Sequence, residues 1–178
     1  GQNVARVIVL PPVPTELQRL VMAVRQTDGR RELYQPIPGP EFDQSWGLVR
    51  RCEDRLLMML RFLEKVDRPL AGLSVLDLAC SYGWFVAEFA RRGCRAIGVE
   101  PDAQALKIGR IAYGLEPGSL HQTDLLAFMR QCQERFDAVL LLSVLHHFLL
   151  KPGHGRPEEV LRSVDKITGT VLFLDTGQ

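Results

Sequence analysis

The stretch Ser74-Val-Leu-Asp-Leu-Ala-Cys-Ser-Tyr-Gly-Trp-Phe85 decides the fold of this chain. It predicts a short buried strand, then a tight turn of small residues, then the first turn of a helix. Because small residues leave space, backbone N–H groups in such a turn can approach a bound ligand closely. Strand–turn–helix units of this kind recur in doubly wound α/β sheets, where ligands bind beyond the carboxyl ends of the strands.

Beyond this unit, apolar strands alternate with helical patterns. The predicted strands cover residues 75–78, 96–100, 120–123, 138–144 and 170–174, and the predicted helices cover residues 84–92, 103–113, 125–132 and 158–167. Continuous apolar strands between helices indicate an α/β fold with a mostly parallel sheet covered on both faces. When the predicted strands are counted from one to five, right-handed crossovers favour the order 3-2-1-4-5, with a switch point between strands one and four.

The first part of the chain differs from the rest in its pattern. A helix is predicted over residues 15–25, an extended proline-containing segment over residues 34–45, and a longer amphipathic helix over residues 45–66. We interpret residues 1–70 as an N-terminal extension and helical cap. Residues 71–178 then form a doubly wound domain, and we expect this domain to be truncated at its C-terminus.

Composition narrows the class of protein. The 178 residues are 46% hydrophobic and 24% charged, which is typical of a globular domain with its own core. No apolar run approaches the roughly 18–20 residues that a membrane span needs. The formal net charge of +1 gives no global attraction to nucleic acid, so a nucleic-acid partner is not expected.

Four cysteines bear on the compartment: Cys52, Cys80, Cys94 and Cys132. They form no C-x-x-C pair, and none has a histidine at metal-ligand spacing, so we expect no metal site. Free thiols are typical of a reducing cytoplasm, which is the predicted location. The apolar strand predicted over residues 170–174 would be an exposed sheet edge, so we expect further chain or a partner to cover it.

The turn after the first predicted strand contains an acid and lacks the glycine pattern of dinucleotide-binding folds. Residues 79–83 read Ala-Cys-Ser-Tyr-Gly, which does not match G-x-G-x-x-G. Asp77 lies inside the end of the strand, where its carboxylate disfavours a pyrophosphate and favours a cationic ligand. The sequence therefore argues against NAD and against an NAD-dependent oxidoreductase.

Two further acids end predicted strands. Glu100 ends the second, where a carboxylate can accept hydrogen bonds from both hydroxyls of a ribose, although an ordinary solvent-facing glutamate is the alternative. Asp124 follows the third, where it can cap the next helix or accept a hydrogen bond from an adenine amino group. In the second interpretation Leu125 packs on the adenine ring.

Together these residues resemble the class I S-adenosylmethionine-dependent methyltransferases, which carry D-x-G-x-G-x-G after the first strand and acids ending the next two. The matches are Asp77, Gly83, Glu100 and Asp124, and the resemblance covers residues 73–175. The sequence departs from the family at Ala79 and Ser81, where glycine is more frequent. The resemblance implies S-adenosyl-L-methionine as cofactor, S-adenosyl-L-homocysteine as product, and cofactor contacts from these six residues together with Leu125 and Ser143.

His146 and His147 directly follow the fourth predicted strand, at the switch point. Imidazole titrates near neutral pH, so either can act as the general base that removes a proton from the acceptor. Many members of the family carry a histidine at the position of His147. The alternative is that one of the two caps the loop or packs under the cap.

Other residues are candidates for cofactor or acceptor contacts. Tyr34 precedes Gln35, and Arg51 and Arg55 lie one helical turn apart, as in some bacterial members of the family that methylate sugars. An arginine there can clamp the carboxylate of the cofactor or an acidic acceptor, although salt bridges on a solvated helix face explain it equally well. Trp84 either lines the pocket or lies in the core.

The resemblance therefore implies methyl transfer to an O or N atom of a small-molecule or glycan-type acceptor. The alternative is a non-catalytic S-adenosylmethionine-binding module or a fragment of a larger protein.

Overall fold

A computed structural model describes residues 12–25, 32–39, 42, 46–150 and 156–175 of the chain. The chain divides into two compact units, residues 1–50 and residues 51–178. The first unit contains helix α1 (Thr15–Arg25), at the bounds predicted from the sequence, which buries Leu17 and Val21. Strand β1 (Glu32–Leu33) pairs in parallel with strand β2 (Gly47–Leu48), a pairing that the sequence does not predict.

Helix α2 (Cys52–Lys65) belongs to the second unit. It begins later than the predicted residue 45, because residues 47–48 pair as β2 instead of joining the helix. Its apolar stripe enters the same core cluster as Val75 of the sheet, and the buried members of the stripe are Cys52, Leu56, Met59 and Leu63. The structure thus groups α2 with the sheet, whereas its position in the sequence predicts that it belongs to the cap. The assignment of domains stays a prediction.

A five-stranded parallel sheet forms the centre of the second unit. Its strands are β3 (Ser74–Leu78), β4 (Arg95–Val99), β5 (Leu120–His121), β6 (Phe136–Leu141) and β7 (Thr168–Leu174). The order β5-β4-β3-β6-β7 confirms the predicted fold class and strand order. In the register of the sheet, Asp77 lies between Gly98 of β4 and Leu140 of β6.

The helices of this unit follow the strands. They are α3 (Trp84–Arg91), α4 (Ala103–Tyr113), α5 (Leu125–Gln131), α6 (Leu145–Leu150) and α7 (Pro157–Ile167). Apolar side chains form two core clusters, one including Phe85, Phe89 and Leu106, the other including Met129, Val160 and Val164. This pattern is expected when helices cover both faces of a parallel sheet.

The end of β6 differs from the prediction. The sequence predicts a strand to residue 144, but β6 ends at Leu141 and the unpredicted helix α6 begins at Leu145. The reason is Ser143, whose φ of 57° lies in the left-handed region and cannot continue a strand. The apolar sequence pattern continues past Leu141, so it gives no sign that the strand ends there.

Within the described part of the chain, every helix is too short or too polar to span a membrane.

Candidate functional site

The turn between β3 and α3 has an unusual backbone. Ala79 and Ser81 have φ values of 60° and 54°, and Gly83, the residue before α3, has a φ of 83°. Left-handed conformation costs an L-residue roughly 1–2 kcal/mol, whereas glycine adopts it readily. The turn therefore takes a glycine-like path at the two positions where glycine is more frequent in the resembling family.

Two glycines outside the turn allow it to lie close to its neighbours. A Cβ atom on Gly98 of β4 would lie 2.6 Å from Sγ of Cys80, and a Cβ atom on Gly109 of α4 would lie 1.7 Å from the carbonyl oxygen of Tyr82. Side chains at these positions would displace the turn. Sequence reasoning does not identify either glycine, because each is defined by a contact with a residue distant in the chain.

We expect Gly109→Ala to lower the free energy of unfolding by about 2 kcal/mol, since the new methyl group must push backbone aside in a packed region. Urea unfolding monitored by circular dichroism measures the change. Gly118→Ala is the control, because nothing lies within 4 Å of its Cβ position, and we expect it to change stability by less than about 0.5 kcal/mol. Equal stabilities of the two variants would show that α4 does not need this close approach.

Glu100 links the end of β4 to the turn. Its Oε2 accepts a hydrogen bond from the Ser81 N–H (3.0 Å), and its Oε1 accepts one from the Asp102 N–H (3.0 Å). Burial raises the pKa of this carboxyl, and the two hydrogen bonds partly offset the rise. A carboxylate has about four lone-pair sites, so Glu100 retains acceptor capacity toward a ligand.

Asp77 is the most unusual charged group of the site. Its side chain is buried, with 3% of its surface exposed, and its Oδ2 has no hydrogen-bond partner among the described residues. Burial, and then the charge of Glu100, raise the pKa of Asp77 to about 8. An unsatisfied buried carboxyl oxygen is rare and marks a place where a donor or cation fits. The unsatisfied oxygen of Asp77 therefore fits a positively charged ligand in the crevice.

Asp124 caps helix α5. Its Oδ1 accepts a hydrogen bond from the Ala127 N–H at 2.7 Å, which is one of the two roles that the sequence left open. Leu125 follows and is buried, with 8% of its surface exposed. Contact of either residue with an adenine ring stays a prediction.

Beyond β6, Ser143 and two histidines lie on the other side of the switch point. Ser143 is buried, and its Oγ has no hydrogen-bond partner among the described residues. The rings of His146 and His147 lie 4.0 Å apart between centroids, tilted by 39°. The Nδ1 of His146 is buried without a hydrogen-bond partner among the described residues, whereas His147 is exposed.

The remaining candidates lie in three settings. Arg51 directly precedes α2, and its Nε lies 2.6 Å from Oδ2 of Asp54 in an exposed salt bridge, as that alternative predicts. Trp84 is buried and packs edge-on against Phe85, with the ring centroids 5.0 Å apart. Tyr34 belongs to the first unit, where the guanidinium of Arg50 lies 5.7 Å from its ring centroid.

The ion pair of Arg55 brings in Asp175, a residue that is not among the site residues predicted from the sequence. Its Nη2 lies 2.8 Å from Oδ2 of Asp175, the residue directly after β7. The Oδ1 of Asp175 accepts a hydrogen bond from the Ser143 N–H. The available signal was a carboxylate directly after a strand, the same position that Glu100 occupies after β4.

Comparison with known proteins identifies the family. The family model described as a methyltransferase domain matches residues 75–165, over half of the chain. The chain is 26% identical over 150 residues to the O-antigen chain terminator bifunctional methyltransferase/kinase WbdD of Escherichia coli, covering 80% of this chain and 21% of that protein. It is 35% identical over 86 residues to a ubiquinone biosynthesis O-methyltransferase of Ruegeria sp. (strain TM1040), covering 47% of this chain and 34% of that protein.

Solved structures agree with this result. A crystal structure of WbdD superposes with a TM-score of 0.67 at 26% identity, covering 89% of this chain and 36% of that one. The chain thus spans well under half the length of these relatives. It belongs to the class I S-adenosylmethionine-dependent methyltransferases, enzymes that use S-adenosylmethionine as cofactor and release S-adenosylhomocysteine, as the sequence predicts.

Proposed function

We propose that this chain transfers a methyl group from S-adenosylmethionine to an O or N atom of a small-molecule or glycan-type acceptor. The observation that carries the proposal is the buried Asp77 carboxyl, whose Oδ2 has no partner among the described residues, beside the glycine-like turn. A cationic ligand supplies what this oxygen lacks. A pyrophosphate would bring further negative charge to a crevice that already contains Asp77 and Glu100.

Each part of the crevice has a role in holding the cofactor. The carboxylate of Glu100 accepts hydrogen bonds from the ribose hydroxyls while it keeps the Ser81 N–H. Asp77 attracts the positive charge, and the small residues Ala79, Ser81 and Gly83 let the backbone approach. Asp124 and Leu125 border the adenine. When bound, S-adenosylmethionine supplies an electrophilic methyl group on a sulfonium.

The acceptor side lies beyond β6, where His146 and His147 can remove the acceptor proton. Alignment of the acceptor and exclusion of water then supply most of the acceleration. A glycan-type acceptor is supported by the match of 80% of the chain to an O-antigen chain terminator methyltransferase/kinase. A small-molecule acceptor is supported by the shorter match to a ubiquinone O-methyltransferase. We also propose a cytoplasmic location, which the four free thiols support.

A transfer assay tests the proposal. The chain is incubated with methyl-labelled S-adenosylmethionine and a panel of free sugars, sugar phosphates, oligosaccharides, phenols and amines, and labelled product and S-adenosylhomocysteine are measured together. We expect at least one acceptor to take the label in equal amount to the S-adenosylhomocysteine formed. Tight cofactor binding with no labelled product across the panel would favour the non-catalytic binding module instead.

We expect His147→Ala to lower kcat on such an acceptor about 30-fold while the cofactor Kd changes less than about threefold. The loss is smaller than the 100-fold typical of a removed general base because the neighbouring His146 ring remains. Steady-state kinetics and calorimetry measure the two quantities. His121→Ala, an exposed histidine on β5, is the control. A parallel loss of cofactor affinity in His147→Ala would show that the residue is structural.

A further inference from the structure

Asp175 joins three elements at the carboxyl edge of the sheet. It directly follows β7, and its backbone N–H points to the carbonyl oxygen of Leu141 at the end of β6 (3.4 Å). Its Oδ1 accepts the Ser143 N–H, and its Oδ2 lies 2.8 Å from Nη2 of Arg55 on α2. Its side chain is 28% exposed, so the carboxylate lies at the edge of the protein interior rather than in bulk solvent.

The hydrogen bond between Ser143 and Asp175 stabilises the backbone turn that precedes the two histidines. Ser143 is buried and left-handed, a conformation that a non-glycine residue holds only when its surroundings stabilise it. A hydrogen bond from its N–H to a carboxylate is charge-assisted and therefore stronger than one between neutral groups. Helix α6 begins two residues later and carries His146 and His147, so the direction of this turn sets where both rings lie.

The ion pair with Asp175 restrains the side chain of Arg55. The Arg55 side chain is only 25% exposed, so its pair with Asp175 is less screened than the exposed pair between Arg51 and Asp54 at the start of the same helix. A guanidinium carries five N–H donors in a fixed fork, more than one carboxylate occupies. Asp175 therefore orients Arg55 at the carboxyl edge of the sheet without using all of the guanidinium's donors.

We propose that Asp175 is a positioning residue for the acceptor side of the site. Through Ser143 it fixes the turn that carries His146 and His147, and through Arg55 it fixes a guanidinium beside that turn. This proposal deepens the proposed methyl transfer and rests on it for its functional meaning. The positioning itself is a property of the chain and can be measured without any acceptor.

The test uses the imidazole signals in ¹H–¹³C correlation spectra, assigned with single histidine variants. We expect Asp175→Ala to displace the signals of His146 and His147. Asp175→Asn keeps an oxygen that can accept the Ser143 N–H, so we expect it to restore signals close to those of the unaltered chain. Asp165→Ala, an exposed aspartate on α7, is the control and should move neither signal.

Unchanged histidine signals in Asp175→Ala would overturn the proposal, and so would equal displacement in the alanine and asparagine variants. If the alanine variant does not fold, the unaltered chain still decides. Its Ser143 amide should exchange with solvent at least about tenfold more slowly than an unprotected amide, and free exchange would overturn the proposal. Calorimetry of the unaltered chain with S-adenosylhomocysteine separates the two proposals: absent binding there refutes the methyl-transfer function and leaves the positioning result intact.

Discussion

Replacing Glu100 by alanine is expected to weaken S-adenosylhomocysteine binding about 100-fold or more. The carboxylate accepts the Ser81 and Asp102 N–H groups, and in the proposed complex it also accepts the ribose hydroxyls. Hydrogen bonds to a charged group contribute about 1.5–3 kcal/mol each, and every 1.4 kcal/mol is a tenfold change in affinity. Isothermal titration calorimetry of both chains measures the ratio.

Two control variants distinguish a ribose contact from general damage. Glu100→Gln keeps one acceptor oxygen and the shape of the side chain, so we expect an intermediate loss of about tenfold. Glu158→Ala removes an exposed glutamate from the first turn of α7 and should leave the affinity unchanged. An unaltered affinity in Glu100→Ala would remove the ribose assignment.

Asp77 is expected to make cofactor affinity strongly dependent on pH. Burial and the charge of Glu100 raise the pKa of Asp77 to about 8, so below that pH the carboxyl is protonated and neutral before the ligand binds. A cationic ligand favours the ionised form, so binding must release this proton. The apparent affinity for S-adenosylmethionine should then fall by up to about tenfold per pH unit below the pKa, or about 50-fold between pH 8, where half of the carboxyl is already protonated, and pH 6.

The control for this prediction is Asp77→Asn, which cannot ionise. The ammonium of the ligand titrates in the same range, but it does so equally with both chains, so the difference between the two pH profiles belongs to Asp77. Calorimetry in buffers of different ionisation enthalpy counts the protons released. Parallel profiles for the two chains would contradict the expected role of Asp77.

Asp77 also determines the direction in which the free energy of unfolding changes with pH. In the folded chain Asp77 keeps a proton up to about pH 8, whereas in the unfolded chain it releases the proton near its ordinary pKa of 3.8. The folded state therefore binds more protons between these values, and the free energy of unfolding should fall as the pH rises from about 4 to about 8. Asp77→Asn should lack this component when both chains are unfolded with urea across that range.

Much of the fold follows from pattern in the sequence. Apolar strands alternating with amphipathic helices specify the parallel sheet, and handedness specifies its order. The short pairing of β1 with β2 does not follow, because two-residue strands have no periodicity to read. The end of β6 does not follow either, since Ser143 adopts its left-handed conformation within an apolar run.

Some residues of the candidate site can likewise be predicted from the sequence, and others cannot. Asp77 and Glu100 are predictable because parallel strands bring their carboxyl ends to one edge, where acids become neighbours. Asp175 has the same placement, but its partners Arg55 and Ser143 lie far away in the sequence, and no local pattern connects them. The glycine-like path of the turn is hidden for another reason, because alanine and serine at residues 79 and 81 give no sign of positive φ.

The most direct test of the central claim is a calorimetric titration of the unaltered chain near pH 8 with S-adenosylmethionine and, separately, with NAD. The crevice contains a buried acid, Asp77, whose Oδ2 has no hydrogen-bond partner among the described residues, beside a glycine-like turn. It predicts binding of the sulfonium nucleoside at one site per chain and no binding of the dinucleotide. Heat from NAD with none from S-adenosylmethionine would contradict the account.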